Sequence, residues 1–162
     1  MQMTEPNRKP TRLQDFDYSN NGYYFITICT HNKKHIFGCV DHNSIRLNTF
    51  GRIAAEEIDN IPRHYQSIEI PKYVVMLNHI HAIVAVNSTE RSRPFPTTIP
   101  TIMGLYKSGV SKRIHMYEPD IDVWQRSFYD HIIRNENEYL RVWQYIDENP
   151  LKWETDEYFT RL

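Results

Sequence analysis

The sequence lacks most of what marks a secreted or membrane protein. It has two cysteines, Cys29 and Cys39, in 162 residues, too few for a disulfide framework. With no signal peptide ahead of them they read as reduced thiols. No apolar run approaches the length of a bilayer span. The N-terminus, MQMTEPNRKPTRLQDFDYS, has no hydrophobic segment of the signal-peptide kind. A cytoplasmic protein is therefore expected. An excess of either charge is missing too: 19 Lys and Arg stand against 20 Asp and Glu, a net charge of −1. Bulk electrostatics thus give nucleic acid no reason to bind, and any such binding must rest on a local patch. There is no internal repeat and no low-complexity tract. What is present, 40% hydrophobic and 24% charged residues, is close to a globular average. The length suits one domain over residues 1–162, with residues 1–20 as a flexible arm.

A local patch does exist. Between Arg91 and His115 lie Arg91, Arg93, Lys107, Lys112 and Arg113, with no Asp or Glu among them. Acidic residues collect elsewhere, notably Glu154, Asp156 and Glu157. The five cations are candidate DNA phosphate contacts, Lys107 foremost, and Tyr106 is a candidate for stacking on a base. The plainer reading is a solvated basic helix face.

Periodicity supplies the elements. GYYFITICT, residues Gly22 to Thr30, is rich in aromatic and β-branched residues and predicts a strand; a short one follows at Ser44 to Leu47. Phe50, Ile53, Ala54, Ile58 and Ile61 recur at helical spacing, with Asn48 as N-cap and Pro62 as a stop. IEIPKYVVML and HIHAIVAV read as two strands turning near Leu77 and Asn78. Asn87 to Pro100, with three prolines, reads as a loop. A second helix is expected over Thr101 to His115, with Ile102, Tyr106, Val110 and Ile114 as its buried stripe. VWQRSFYDHIIR, Val123 to Arg134, reads as a strand. A third helix is expected from Glu136 to about Glu148, opened by a capping box of Asn135 and Glu138 and ended by Pro150. The resulting order implies an α+β fold, an antiparallel sheet with helices packed on it, ferredoxin-like in kind.

Two constellations could carry chemistry. His79 and His81 are two apart on a strand, so their imidazoles project from one face while Ile80 points to the other. Two imidazoles on a rigid strand can share a divalent metal, although two ligands are too few for a tight site. On the last helix Tyr139, Val142, Trp143 and Ile146 form the core stripe. Tyr145 and Asn149 lie on its flank, four apart and adjacent. A phenol beside an amide oxygen can offer a nucleophile and a third metal ligand together. Each pattern also has an ordinary explanation, a chance strand pair or an amphipathic surface tyrosine. The combination is what points to a site. His115 and His131 read as surface or supporting residues.

In combination the motifs resemble a known family. VVMLNHIHAIVAV is similar to the His-hydrophobic-His strand of the HUH transposases, and QYIDENPLKW to their tyrosine helix. RSRPFPTTIPTIMGLYKSGVSKRI and VWQRSFYDHIIRNENE resemble the segments between. The resemblance spans about Gly22 to Trp153 and is closest to the REP-associated tyrosine transposases, in which asparagine follows the tyrosine by four. The family usually has proline where this chain has Leu77, a departure that alters the turn but removes no ligand. The resemblance implies a ferredoxin-like HUH nuclease fold and a Mg²⁺ or Mn²⁺ ion on His79, His81 and Asn149. It also implies Tyr145 as the nucleophile on single-stranded or hairpin DNA, with a covalent phosphotyrosine intermediate and DNA transposition as the outcome. Members of the family occur as monomers and as homodimers that share active sites. Tyr129, on a predicted strand without an i+4 ligand, is the competing nucleophile. Two other readings stand beside this one: a domesticated module that binds hairpin or single-stranded nucleic acid without cutting, and a zinc hydrolase built on the histidine pair. No HExxH-type spacing supports the second of these.

Overall fold

In the computed structural model, residues 20–42, 44–87 and 98–161 are described; Arg91, Arg93 and all but the last residue of the expected N-terminal arm lie outside them. Four strands form one antiparallel sheet in the order β4-β5-β1-β6, from β1 (Gly22–Cys29), β4 (Ile68–Val75), β5 (His79–Val86) and β6 (Tyr129–Ile133). β2 (Gly38–Asp41) and β3 (Ser44–Leu47) make a separate hairpin. The helices are α1 (Thr49–His64), α2 (Ile99–Ile114) and α3 (Glu136–Glu148), and a 3₁₀ segment, Asn149–Thr155, follows α3. The expected α+β fold is the one observed.

Strand alternation sorts the sheet into two layers. Tyr24, Ile26 and Ile28 of β1 and Ile80, Ala82, Val84 and Val86 of β5 share the main core with the stripes of α1 and α2. On the opposite face Ile83, Phe25, Val74 and Ile133 meet Ile146, Val142 and Trp143 of α3. β5 is buried along its whole length, as a central strand covered on both sides must be. Pro71 sits in edge strand β4 where the register shifts between Glu69 and Lys72, a place where a missing N–H is tolerated.

Four local expectations are corrected. β2 is a strand, although its four residues carry no buried alternation for sequence to show. α1 passes through Pro62 to His64; burial of Ile58 and Ile61 holds the last turn despite the lost hydrogen bond. α2 begins two residues early, because Thr98 caps it and Pro100 falls in the first turn, where its missing N–H costs nothing. Val123–Arg134 is not one strand. Trp124 makes a single bridge to Thr30, Ser127 turns the chain with φ 69°, and the ladder starts only at Tyr129. Between them the ammonium of Lys107 takes the carbonyls of Gln125 and Ser127, at 2.7 and 2.9 Å. Two helix starts match expectation. Asn48 accepts from the Gly51 N–H at 3.0 Å and Asn135 from the Glu138 N–H at 2.9 Å. The return bond of the second box goes from the Arg134 N–H to the Glu138 carboxylate rather than from Asn135.

Candidate metal centre and nucleophile

The register sets one row of side chains across the sheet. Val74 of β4 opposes His81 of β5, His81 opposes Thr27 of β1, and Thr27 opposes Tyr129 of β6. Directly opposed residues share a face, so the row lies on the α3 side. His79 joins His81 there, with ring centroids 4.5 Å apart. Both imidazoles are completely buried.

Hydrogen bonds orient the two rings. Asn78 donates through Nδ2 to the Lys33 and Tyr158 carbonyls, which leaves its Oδ1 as an acceptor 2.8 Å from His79 Nδ1. His79 must therefore carry its proton on Nδ1 and present the bare Nε2 to the site. His81 Nδ1 lies 2.8 Å from Thr27 Oγ1, which likewise turns Nε2 inward. Burial keeps both rings neutral, pushing His79 down to about 4 despite the opposing influence of Asp156. His81 falls well below its ordinary value through burial and then through His79.

The α3 side supplies the rest. Tyr145 packs edge-on to Phe25 and beside His81, and its hydroxyl is 3.4 Å from His81 Nε2. Asn149, the residue closing α3, is buried under the same turn. Its Nδ2 donates to Asp156 Oδ2 at 2.7 Å. That bond fixes the amide and leaves Asn149 Oδ1 without a partner among the described residues, as is His79 Nε2. The structure thus brings Tyr145, His79, His81 and Asn149 together.

It adds Asp156, which sequence reasoning counted only among the C-terminal acids. One carboxylate oxygen of Asp156 and one nitrogen of each histidine lie within 4.8 Å of one another. The carboxylate is 1% exposed, and the imidazole nearest to it, at 3.9 Å, is held neutral. Two orphaned polar atoms and a buried carboxylate facing neutral imidazoles fit a divalent cation of the kind that accepts nitrogen and oxygen donors together. No motif could have found Asp156, because it arrives on an irregular tail and not at a periodic spacing. Burial of the tyrosine, and then Asp156 and Glu157, push the Tyr145 hydroxyl up to about 12.

The tail also closes the site. Tyr158 packs over the pair, tilted against His79 with ring centroids 4.7 Å apart and edge-on to His81 at 5.6 Å. Two cavities flank this cover. One of about 310 Å³ lies beside Tyr145 and is lined by Glu148, Asp156, Glu157 and Lys152. The other, about 220 Å³, lies on the Thr27 and Tyr129 side and has Lys33 and Arg126 in its wall.

The basic stretch is placed differently from expectation. α2 packs on the opposite face of the sheet from the histidines. Arg113 pairs there with Glu56 and Glu57 of α1, at 2.6 and 2.9 Å, so a run free of acid in sequence meets acid in space. Lys112 is exposed, and Lys107 is spent on the loop carbonyls described above. Tyr106 is no stacking platform, since it is 4% exposed and its hydroxyl donates to the Ala54 carbonyl. His131 and His115 are engaged by Glu138 and by the Ile121 carbonyl. Leu77 packs with Met76 and Trp153 beneath the β4–β5 turn.

No protein-family model matches the chain. An uncharacterised protein of Haemophilus influenzae is 33% identical over 168 residues, covering 94% of this chain and 93% of the relative. Among solved structures, a REP-associated tyrosine transposase bound to a REP hairpin superposes with a TM-score of 0.57 at 20% identity, over 93% of this chain and 74% of that one. A candidate transposase from Deinococcus radiodurans R1 gives 0.51 at 15% identity, over 85% and 95%. Among the described residues no helix is long and apolar enough to cross a membrane.

Proposed function

We propose that this chain, which belongs to one family with the Haemophilus influenzae protein and has the fold of the REP-associated tyrosine transposases, cuts and rejoins single-stranded or hairpin-flanking DNA through Tyr145. The carrying observation is the Tyr145 hydroxyl 3.4 Å from His81 Nε2, beside a buried Asp156 carboxylate and two polar atoms, His79 Nε2 and Asn149 Oδ1, that have no partner among the described residues. The transposase found with a REP hairpin is the precedent for the substrate class.

Phosphodiester cleavage needs a nucleophile held in line and charge neutralised on the phosphate. His79, His81 and Asn149, with Asp156, would hold Mg²⁺ or Mn²⁺, which supplies positive charge to a non-bridging phosphate oxygen. The protein's own part follows from the geometry. Phe25 and His81 fix the tyrosine ring, Asn78 fixes the His79 tautomer, and Thr27 holds the His81 ring in place. The Tyr145 oxygen bonds to phosphorus, the P–O3′ bond breaks, the phenolic proton passes to solvent, and the departing 3′ oxygen takes a proton. The ester bond retained on Tyr145 lets the hydroxyl of another strand reverse the step, which is strand transfer without ATP. Both histidines are buried under Asp156 and Tyr158, so the tail must shift before a phosphate oxygen reaches their side of the site, while Tyr145 already faces the 310 Å³ cavity.

The test is to incubate the protein with hairpin DNA carrying single-stranded flanks, with Mn²⁺, with Mg²⁺ or with chelator. A denaturing gel then reads any covalent protein–DNA adduct. A metal-dependent adduct is expected. Tight binding with no adduct under any metal would instead establish the non-cleaving module.

A further inference from the structure

The 220 Å³ cavity on the Thr27 side is not used by the chemistry above. Thr27 forms one wall of it while holding His81, so it is joined to the metal centre through a single side chain. Tyr129 stands in the same row two strands away, about 10 Å at ordinary strand spacing, and its ring is 54% exposed on the sheet edge. Lys33 and Arg126 line the cavity together with Tyr158, and no carboxylate is among its lining residues. The cavity on the other side of the tail is walled by three carboxylates. Of these two cavities, the one on the Thr27 side suits a polyanion better.

The backbone here is built against its own preferences. Among the described residues four non-glycines have positive φ, and three of them, Asn32, Lys33 and Ser127, lie in the two segments framing this cavity. Such strain persists only where surrounding contacts enforce it, and it gathers at working sites. The contacts are visible. Lys107 clamps the carbonyls on both sides of Arg126, and Trp124 Nε1 donates back to the Lys107 carbonyl at 3.0 Å. The Lys33 carbonyl accepts from Asn78. Lys107 is thus a positioning residue, aiming Arg126 and the start of β6.

We propose that this cavity is a subsite for one unpaired nucleotide of the DNA strand adjoining the scissile phosphate. The base stacks on the exposed ring of Tyr129, and Arg126 and Lys33 take the neighbouring phosphates. The inference rests on the cutting function proposed above, and it assigns the side from which the strand enters. Stacking on an aromatic ring tolerates any base, so this subsite recognises an unpaired nucleotide and not a sequence.

The test uses full-length protein carrying Tyr145→Phe, which binds without reacting. A labelled hairpin with single-stranded flanks of mixed sequence is compared with the same hairpin made blunt. Tyr129→Ala should weaken the flanked hairpin on the order of ten- to a hundredfold, and Tyr129→Phe should recover most of that loss. Arg126→Ala should lower the salt slope of flank binding by about one. Lys107→Ala should weaken it too, by freeing the loop. Tyr129 and Arg126 are exposed, so circular dichroism of those two variants should show an unchanged fold. If Tyr129→Ala and Arg126→Ala bind the flanked hairpin as the parent does, or if the parent does not bind it, the subsite is refuted. Adduct formation by the wild-type protein is scored separately. An adduct with no effect of these substitutions overturns only the subsite, and flank binding with no adduct overturns only the cutting.

Discussion

β5 does two jobs on alternate residues. Ile80, Ala82, Val84 and Val86 bury hydrocarbon against α1 and α2, while His79 and His81, equally buried, face a tyrosine, an amide and a carboxylate. Burial on the first face stabilises. Burial on the second keeps imidazoles neutral and polar atoms unpaired, at a cost to the fold. One strand thus combines a rigid anchor with a site ready for a cation, and its stiffness comes from the apolar side.

The largest effect should come from the polar face alone. Tyr145→Phe removes one oxygen and should abolish the covalent adduct on a denaturing gel, with Tm and DNA affinity nearly kept. An adduct that survives in this variant would transfer the role to Tyr129.

On the apolar face, Ile80→Ala should lower unfolding free energy by about 2–5 kcal/mol, read by urea denaturation. A loss below about 1 kcal/mol would deny that this face is the anchor.

The polar face should show in the pH dependence. His79 is held at about 4 and His81 well below its ordinary value, chiefly by burial, whereas in the unfolded chain both take up protons near 6.5. The unfolded state therefore binds more protons between about 4 and 6.5. Stability should be greatest above that window and fall as pH drops through it, by up to about 1.4 kcal/mol per pH unit per imidazole. A double His79→Gln, His81→Gln variant should flatten this slope, and an unaltered slope would place the titration elsewhere.

Thr27→Val leaves both faces packed but releases His81 Nδ1. Losing such a supporting bond should weaken Mn²⁺ binding by about 10–100-fold by calorimetry. Unchanged affinity would mean that packing against Phe25, not the hydroxyl, orients the ring. The smallest effect should come from α2, behind the apolar face. Lys112→Glu should reduce DNA affinity less than Arg126→Glu, measured at one salt concentration. The reverse order would return the DNA to the helix side.

The legible parts of this protein are the periodic ones. Alternation through HIHAIVAV put His79 and His81 on one face, and the three-and-four spacing of Val142, Trp143 and Ile146 left Tyr145 and Asn149 on the flank, because side-chain direction in regular elements follows from backbone geometry alone. Val123–Arg134 misled because its composition favours a strand while its backbone acceptors are taken by Lys107, eighteen and twenty residues away. The basic run misled because charge was counted along the chain, and Glu56 and Glu57 meet Arg113 only once α1 and α2 pack.

The sequence by itself determined the α+β elements, the pairing of two histidines, and a tyrosine one helical turn from an asparagine. Tertiary structure alone decided that Asp156 completes the cluster, that Tyr158 covers it, that Asn78 selects the His79 tautomer while Thr27 holds His81, and that Lys33 and Arg126 flank one opening. Those residues come from a tail, a turn and irregular loops. They have no repeat to betray their direction, so they meet only where strand register and helix packing bring them.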